Sequence, residues 1–280
     1  MIANPESFEP AQLDPDQPIG MFDSGVGGFT VLREVKKILP QEQVVYFGDT
    51  ANAPYGERPP ELIRRWAKNS IDFLREQGVK AVAIACNVSS SVLTREDLAA
   101  YPIPVFGLVY NGATAALQQT RSGRIGVLAT TATVTTGSYV KVIRSFNPQA
   151  EVVQSACPRF VPFTESGVFE GPEVDAAVRE YVAPLKQGGV DTVIYGCTHY
   201  PLLEGAIKRQ LDGVVLVDPA VEVAEELAAY LHNHSLLRRA EPAGDRIFAS
   251  KLNEHFFGTA ERFLGRDIRT LSREVSLNRP

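Results

Sequence analysis

Gly78-Val79-Lys80-Ala81-Val82-Ala83-Ile84-Ala85-Cys86 and Gly189-Val190-Asp191-Thr192-Val193-Ile194-Tyr195-Gly196-Cys197 align without gaps at a constant offset of 111 residues, with four identities in nine positions. Each segment is a near-continuous apolar run, the pattern of a parallel strand buried on both faces, and each ends on a cysteine. A second match supports the first. Ile19-Gly20-Met21-Phe22-Asp23-Ser24 resembles Ile125-Gly126-Val127-Leu128-Ala129-Thr130 at an offset of 106. Two similar α/β halves, packed about a pseudo-two-fold axis, are the simplest explanation.

Outward from these runs, strand-like and helix-like stretches alternate. Apolar runs at residues 18–22, 44–47, 103–109, 124–129 and 214–217 read as further strands. Residues 29–39 carry Val31, Leu32, Val35 and Ile38 at helical spacing and stop at Pro40, and residues 61–77 form a long amphipathic helix ending at Gly78. Such alternation predicts mostly parallel sheets with helices on both faces. The expected fold is therefore α/β, with two pseudo-symmetric three-layer domains and the active site in the cleft between them. Residues 18–112 plus 219–280 are assigned to the first domain and 113–218 to the second. From Glu222 on the chain reads as helix-rich, with Val223, Leu227, Tyr230 and Leu231 on one face, returning to cover the first half. Residues 1–17 read as a disordered leader: the stretch to Pro18 is polar, holds four prolines and lacks the basic start and apolar core of a signal peptide.

Composition excludes several function classes. Hydrophobic content of 44% with 22% charged residues is that of an ordinary soluble globular protein. A net charge of −5 without a basic stripe gives no footprint for nucleic acid. No apolar run reaches the roughly 18–20 residues that a membrane helix needs. The three cysteines, Cys86, Cys157 and Cys197, argue for reduced thiols in a cytoplasmic setting and against a disulfide framework. Neither C-x-x-C nor H-E-x-x-H occurs, so no metal site is expected. Oligomeric state stays open, a homodimer included.

Ligands of open α/β sheets bind beyond the carboxyl ends of the strands. Cys86 and Cys197 stand directly after such strands, where a following helix would favour thiolate and its free N–H groups would hold a carboxylate. A single buried cysteine is ordinarily a small hydrophobe. Two at equivalent points of two related halves would face each other across a cleft. Inversion of a stereocentre needs that arrangement, one group removing a proton from one face and another returning it to the opposite face. The carbanion formed between these steps needs fixed donors, for which Asn87, Thr198 and helix-end amides are of the right type.

Four blocks, Asp23-Ser24-Gly25-Val26-Gly27-Gly28, Gly48-Asp49-Thr50-Ala51-Asn52-Ala53-Pro54-Tyr55-Gly56, Ala85-Cys86-Asn87 and Gly196-Cys197-Thr198-His199-Tyr200-Pro201-Leu202, together resemble the signature blocks of bacterial glutamate racemases. The resemblance runs in order from about Pro18 to about Ala229. It implies cofactor-independent racemisation of glutamate, without pyridoxal phosphate, that supplies D-glutamate for peptidoglycan. By similarity Cys86 would deprotonate D-glutamate and Cys197 L-glutamate, with Asp23 assisting the first and His199, with Glu165, the second. Ser24, Asn87 and Thr198 would contact the amino and α-carboxylate groups, and the backbone at Tyr55-Gly56 would take the side-chain carboxylate. Val88 would offer its amide, and Thr130 and Thr133 would contribute from the matching helix of the second half.

Each role has a plainer competitor. Asp23 is of the type that caps helices, His199 alone would be an ordinary loop histidine, and Glu165 lies in a loop without pattern. Gly25–Gly28 matches no nucleotide-binding fingerprint and reads as a tight strand-to-helix turn. Cys157, before Pro158 and off any strand end, reads as structural, and His232, His234 and His255 as solvated surface groups. The chain departs from its relatives at Val88, where threonine is usual and where Ser89 or Ser90 would have to supply the hydroxyl. It departs again at Tyr110-Asn111, in place of an acid–proline pair. Rival readings are an aspartate or hydantoin racemase, a non-catalytic binding protein on a racemase fold, and a cysteine hydrolase, which would leave one thiol unexplained.

Overall fold

Both sheets are built from parallel strands alone, and four strands of the first repeat the order of the second. The computed structural model describes residues 13–277. In chain order the elements are β1 (Ile19–Asp23), α1 (Gly28–Ile38), β2 (Val44–Gly48), α2 (Pro60–Glu76), β3 (Ala81–Ile84), α3 (Asn87–Val92), α4 (Arg95–Ala99), β4 (Val105–Gly107) and α5 (Leu108–Gln119). There follow β5 (Arg124–Ala129), α6 (Thr131–Thr136), α7 (Ser138–Phe146), β6 (Glu151–Ala156), α8 (Phe160–Glu165), α9 (Pro172–Gln187), β7 (Thr192–Gly196), α10 (Glu204–Gln210) and β8 (Val215–Val217). The chain then returns through α11 (Pro219–Asn233), β9 (Arg246–Ala249), α12 (Glu254–Leu264) and β10 (Ser272–Glu274).

The first sheet runs β10-β9-β2-β1-β3-β4 and the second β6-β5-β7-β8, so β2-β1-β3-β4 corresponds to β6-β5-β7-β8. The repeat read in the sequence is thus β1 with β5 and β3 with β7. Its leading glycines have a backbone reason. Gly78 follows α2 with φ +74°, and Gly189 follows α9 with φ +60°, the left-handed conformation that ends a helix and that only glycine adopts without a Cβ penalty. Both helices also open on proline, Pro60 and Pro172, where the missing N–H costs nothing. The third residue of the repeat differs in kind but serves both lobes as an anchor. Lys80, fully buried, donates to Glu42 and to the carbonyls of Pro15 and Leu236. Its counterpart Asp191 accepts from Thr120 and from the N–H groups of Arg121 and Ser122.

Each sheet is covered on both faces. Met21, Tyr46 and Ala83 of the first pack under α1, α11 and α12, while Phe22, Phe47 and Ile84 face α2. In the second, Leu128, Val193 and Tyr195 lie under α9 and α10, and Ile125, Val127 and Ile194 under α5 and α7. The chain crosses between lobes twice, along α5, which contains the boundary expected at 112/113, and through Asp218 into α11, which Asp218 caps at Ala220 N, 2.9 Å.

The structure differs from the sequence reading at both ends. The expected leader falls largely outside the described residues, but residues 13–17 are a turn pinned by Lys80 and by Arg238, which donates to Asp16 O at 2.6 Å. The C-terminal stretch is not only helical, since β9 and β10 extend the first sheet beyond β2. β9 is four residues and β10 three, too short for an alternation to stand out.

Candidate active site

The carboxyl ends of β1, β2 and β3 meet those of β5, β6 and β7 around a cavity of about 370 Å³. Cys86 and Cys197 both line it, and so do Asp23, Ser24, Tyr55, Gly56, Asn87, Val88, Glu165, Thr198 and His199. Thr130 also lines it. Thr133, fully buried, sits one step back, with its hydroxyl 3.2 Å from that of Thr130.

On the first lobe Cys86 caps α3 in extended conformation and its thiol stands 3.5 Å from Ser24 Oγ. Asp23, 2% exposed, accepts from Gly25 N at 2.9 Å, and Ser24 Oγ lies 3.5 Å from its Oδ1. Asp23 is thus not the cap of α1, a place held by Gly27. Burial first, and the Asp23 charge second, push the Cys86 thiol up to about 12. Burial likewise raises the Asp23 carboxyl above its ordinary value, opposed chiefly by the charge of His199. Burial thus favours the neutral form of both groups on the Cys86 side.

The second lobe is built differently. Cys197 does not start an α-helix: the chain passes through Thr198 and His199 into a 3₁₀ turn, Tyr200–Leu203. The group beside its thiol is an imidazole, with Sγ and His199 Nδ1 3.7 Å apart. His199 Nε2 lies 3.2 Å from Glu165 Oε1. Burial pulls the His199 imidazole down, but its hydrogen bonds to Cys197 and Glu165 outweigh this and raise it to about 10. Glu165 is lowered in spite of burial, by the same contact with His199. It lies not in a loop but at the end of α8. That helix is a single short one, Phe160–Glu165, whose proline, Pro162, obscures it in the sequence.

Cys157 also lies elsewhere than expected. It follows β6 directly, donates its N–H to Ala129 O at 2.8 Å, and lines the cavity. Asp49, after β2, makes the equivalent bond to Asp23 O at 3.0 Å. The sequence reading missed β6, and with it this strand end. Buried and pushed well above the ordinary thiol range by desolvation, Cys157 has its Sγ 3.4 Å from Ser155 O.

Several supporting residues were not legible in sequence. Tyr139 OH donates to Asn87 Oδ1 at 2.6 Å across the two lobes, which leaves Asn87 its amide N–H groups to offer a carboxylate. Thr30 Oγ1 holds Thr198 O at 3.0 Å, and Tyr46 OH holds Gly25 O at 3.0 Å. Asp49 accepts from Tyr55 OH at 2.5 Å, from Asn52 and from Ser250, and so fixes the loop carrying Tyr55-Gly56. The glycines after Asp23 permit the lobes to approach: a Cβ on Gly27 would fall 2.4 Å from Thr198 Oγ1 and 2.6 Å from His199 Nδ1. Neither Ser89 nor Ser90 lines the cavity beside Val88: Ser89 is fully buried against Cys86, and Ser90 Oγ accepts from Val109 N. Tyr110 and Asn111 lie away from the cavity, Tyr110 edge-on to Phe146 and Asn111 donating to Glu226 at 2.7 Å. His232 and His234 are held within their own helix end, whereas His255 touches Glu165. Among the described residues no group of three or more His, Cys, Asp or Glu could hold a metal ion, and no helix is long and apolar enough to cross a membrane.

Known proteins share this fold. Residues 29–227 match the Asp/Glu/Hydantoin racemase family. A glutamate racemase of Geobacter metallireducens is 42% identical over 253 residues, covering 90% of this chain and 94% of its own. The crystal structure of glutamate racemase from Francisella tularensis, in complex with D-glutamate, has a TM-score of 0.88 at 32% identity and covers 94% of this chain and 99% of that one. That of Thermus thermophilus glutamate racemase, in complex with beta-chloro-D-alanine, has a TM-score of 0.85 at 39% identity and covers 94% and 98%. Matched over most of its length, the chain belongs to the Asp/Glu/Hydantoin racemase family and is an isomerase.

Proposed function

We propose that this protein interconverts L- and D-glutamate by proton transfer between two thiols, without a cofactor, and that it supplies D-glutamate for peptidoglycan in the cytoplasm. The observation that carries the reading is the placement of Cys86 and Cys197 at equivalent strand ends of opposite lobes, lining one cavity. A substrate held between them presents one face of its α-carbon to each. Cys197 takes the proton of L-glutamate while Cys86 delivers one to the other face, and the roles reverse for D-glutamate. His199, between Cys197 and Glu165, accepts positive charge beside the Cys197 thiolate. Asp23 and Ser24 steady the proton on Cys86. Asn87 and Thr198 offer donors to the α-carboxylate, where negative charge builds as the carbanion forms. The loop at Tyr55-Gly56 closes the far end and receives the side-chain carboxylate. The two glutamate racemases with ligand-bearing structures support this choice of substrate.

Incubation of each glutamate enantiomer in deuterium oxide, followed by circular dichroism and by α-proton exchange, tests the proposal. The expected result is loss of the circular dichroism signal with deuterium incorporation from either enantiomer. Exchange of aspartate but not glutamate would overturn the substrate, and exchange of no amino acid the racemase reading.

A further inference from the structure

We propose that His255 is a positioning residue that completes a proton path from solvent to the Cys197 thiol. Four groups stand in line. Cys197 Sγ is 3.7 Å from His199 Nδ1, His199 Nε2 is 3.2 Å from Glu165 Oε1, and Glu165 Oε2 is 3.4 Å from His255 Nε2. Cys197 and His199 are buried and the Glu165 side chain is 33% exposed, whereas the His255 side chain is 57% exposed. Each carboxylate oxygen of Glu165 thus serves a different histidine. The remaining cation nearby, Arg262, donates to the Glu165 backbone oxygen and to Thr259, and leaves both carboxylate oxygens to the histidines.

The path joins the two lobes. Glu165 ends α8 of the second lobe, while His255, Arg262 and Phe263 belong to α12 of the first, which packs on α1. Phe263 meets the His199 ring edge-on with centroids 5.6 Å apart, so α12 shapes the pocket of the imidazole as well as its outlet. As a stabilising contact alone the exposed His255–Glu165 pair would be worth little.

The inference rests on the two-thiol reading, which creates the need for such a path. A turnover from L- to D-glutamate leaves Cys197 protonated and Cys86 as thiolate, the reverse of what the next L-glutamate requires. One proton must leave Cys197 and one must reach Cys86 before the cycle repeats. Along the path, the His199 imidazolium passes a proton through Glu165 and His255 to water, and the Cys197 thiol then restores the proton to the imidazole. One proton leaves for each that the thiol gives up, and no electrons are transferred. Cys197 is thereby reset for the next L-glutamate.

His255→Gln separates this role from a structural one, because glutamine keeps an N–H for Glu165 yet relays no proton. Resetting of the free enzyme enters kcat but not kcat/KM, since at low substrate the two protonation forms equilibrate between encounters. The expected result is a fall in kcat of roughly tenfold, smaller than the roughly 10²–10⁴-fold worth of a group that itself transfers the substrate proton. kcat/KM stays unchanged, and added imidazole buffer restores kcat. Equal falls in kcat and kcat/KM, or no change in either, would overturn the proposal. Cys86→Ser and Cys197→Ser, assayed in parallel, keep the two readings apart. Racemisation surviving in either cysteine variant sinks the two-thiol mechanism, whereas loss in both beside an unaffected His255→Gln sinks the path alone.

Discussion

The Cys86 and Cys197 sides descend from one strand-end design, yet they surround their thiols with opposite chemistry. Cys86 has a helix start, a serine and a buried carboxyl, and its thiol is driven up to about 12. Cys197 has no helix start but an imidazole raised to about 10 and backed by Glu165. Fold symmetry therefore supplies two thiols lining one cavity, and the residues that follow each strand give them different neighbours. The difference suits a reaction that needs one thiol and one thiolate at a time. A raised imidazole stands beside one thiol and a buried carboxyl beside the other.

The largest expected effect breaks the comparison outright. Cys86→Ser and Cys197→Ser should each lower racemisation by at least roughly 10²–10⁴-fold. Since enantiomers are equal in free energy, kcat/KM must fall equally in both directions for each variant, and the asymmetry of the sides shows only in exchange. Cys86→Ser should still admit solvent deuterium into L-glutamate, and Cys197→Ser into D-glutamate. Exchange into the opposite enantiomer in either variant would reverse the assignment of faces.

A smaller effect sharpens the Cys197 side. His199 is raised from 6.5 to about 10 in the folded protein. Its contribution to stability is therefore full below about 6.5 and is lost as pH rises through about 10. Glu165→Gln removes one of the two groups responsible for the rise. The variant should melt below the parent at neutral pH, and the gap should close as pH rises through about 10, readable in thermal unfolding across that range. A gap independent of pH would show that the pair is not an ion pair. Smallest of all, Val88→Thr places a hydroxyl at the start of α3, in the cavity wall. One added hydrogen bond to substrate is worth about 1 kcal/mol, a fall in KM of roughly fivefold with little change in kcat. An unchanged KM would mean that this wall does not meet glutamate's polar groups.

The sequence was informative where local patterns are strong. The buried runs at β3 and β7, with their helix-ending glycines and terminal cysteines, are continuous segments whose meaning depends on few neighbours. Asp23, Ser24, Asn87, Thr198 and His199 were within reach for the same reason, each lying within a few residues of a strand end. Weak local signals hid the rest. β6 is mostly half-buried and not continuously apolar, so Cys157 seemed to follow nothing. α8 is six residues with an internal proline, so Glu165 seemed to lie in a loop.

By itself, then, the sequence determined a doubled α/β architecture and the two thiols at equivalent strand ends, because buried parallel strands and left-handed glycines impose their pattern on the chain directly. Tertiary structure alone decided what surrounds each thiol. The contacts involved join residues far apart in sequence: Tyr139 with Asn87, Thr30 with Thr198, and Glu165 with both His199 and His255. Burial and charge at a few ångströms shift Cys86, Asp23 and His199 from their ordinary values, and those distances exist only once the two lobes have closed on one cavity.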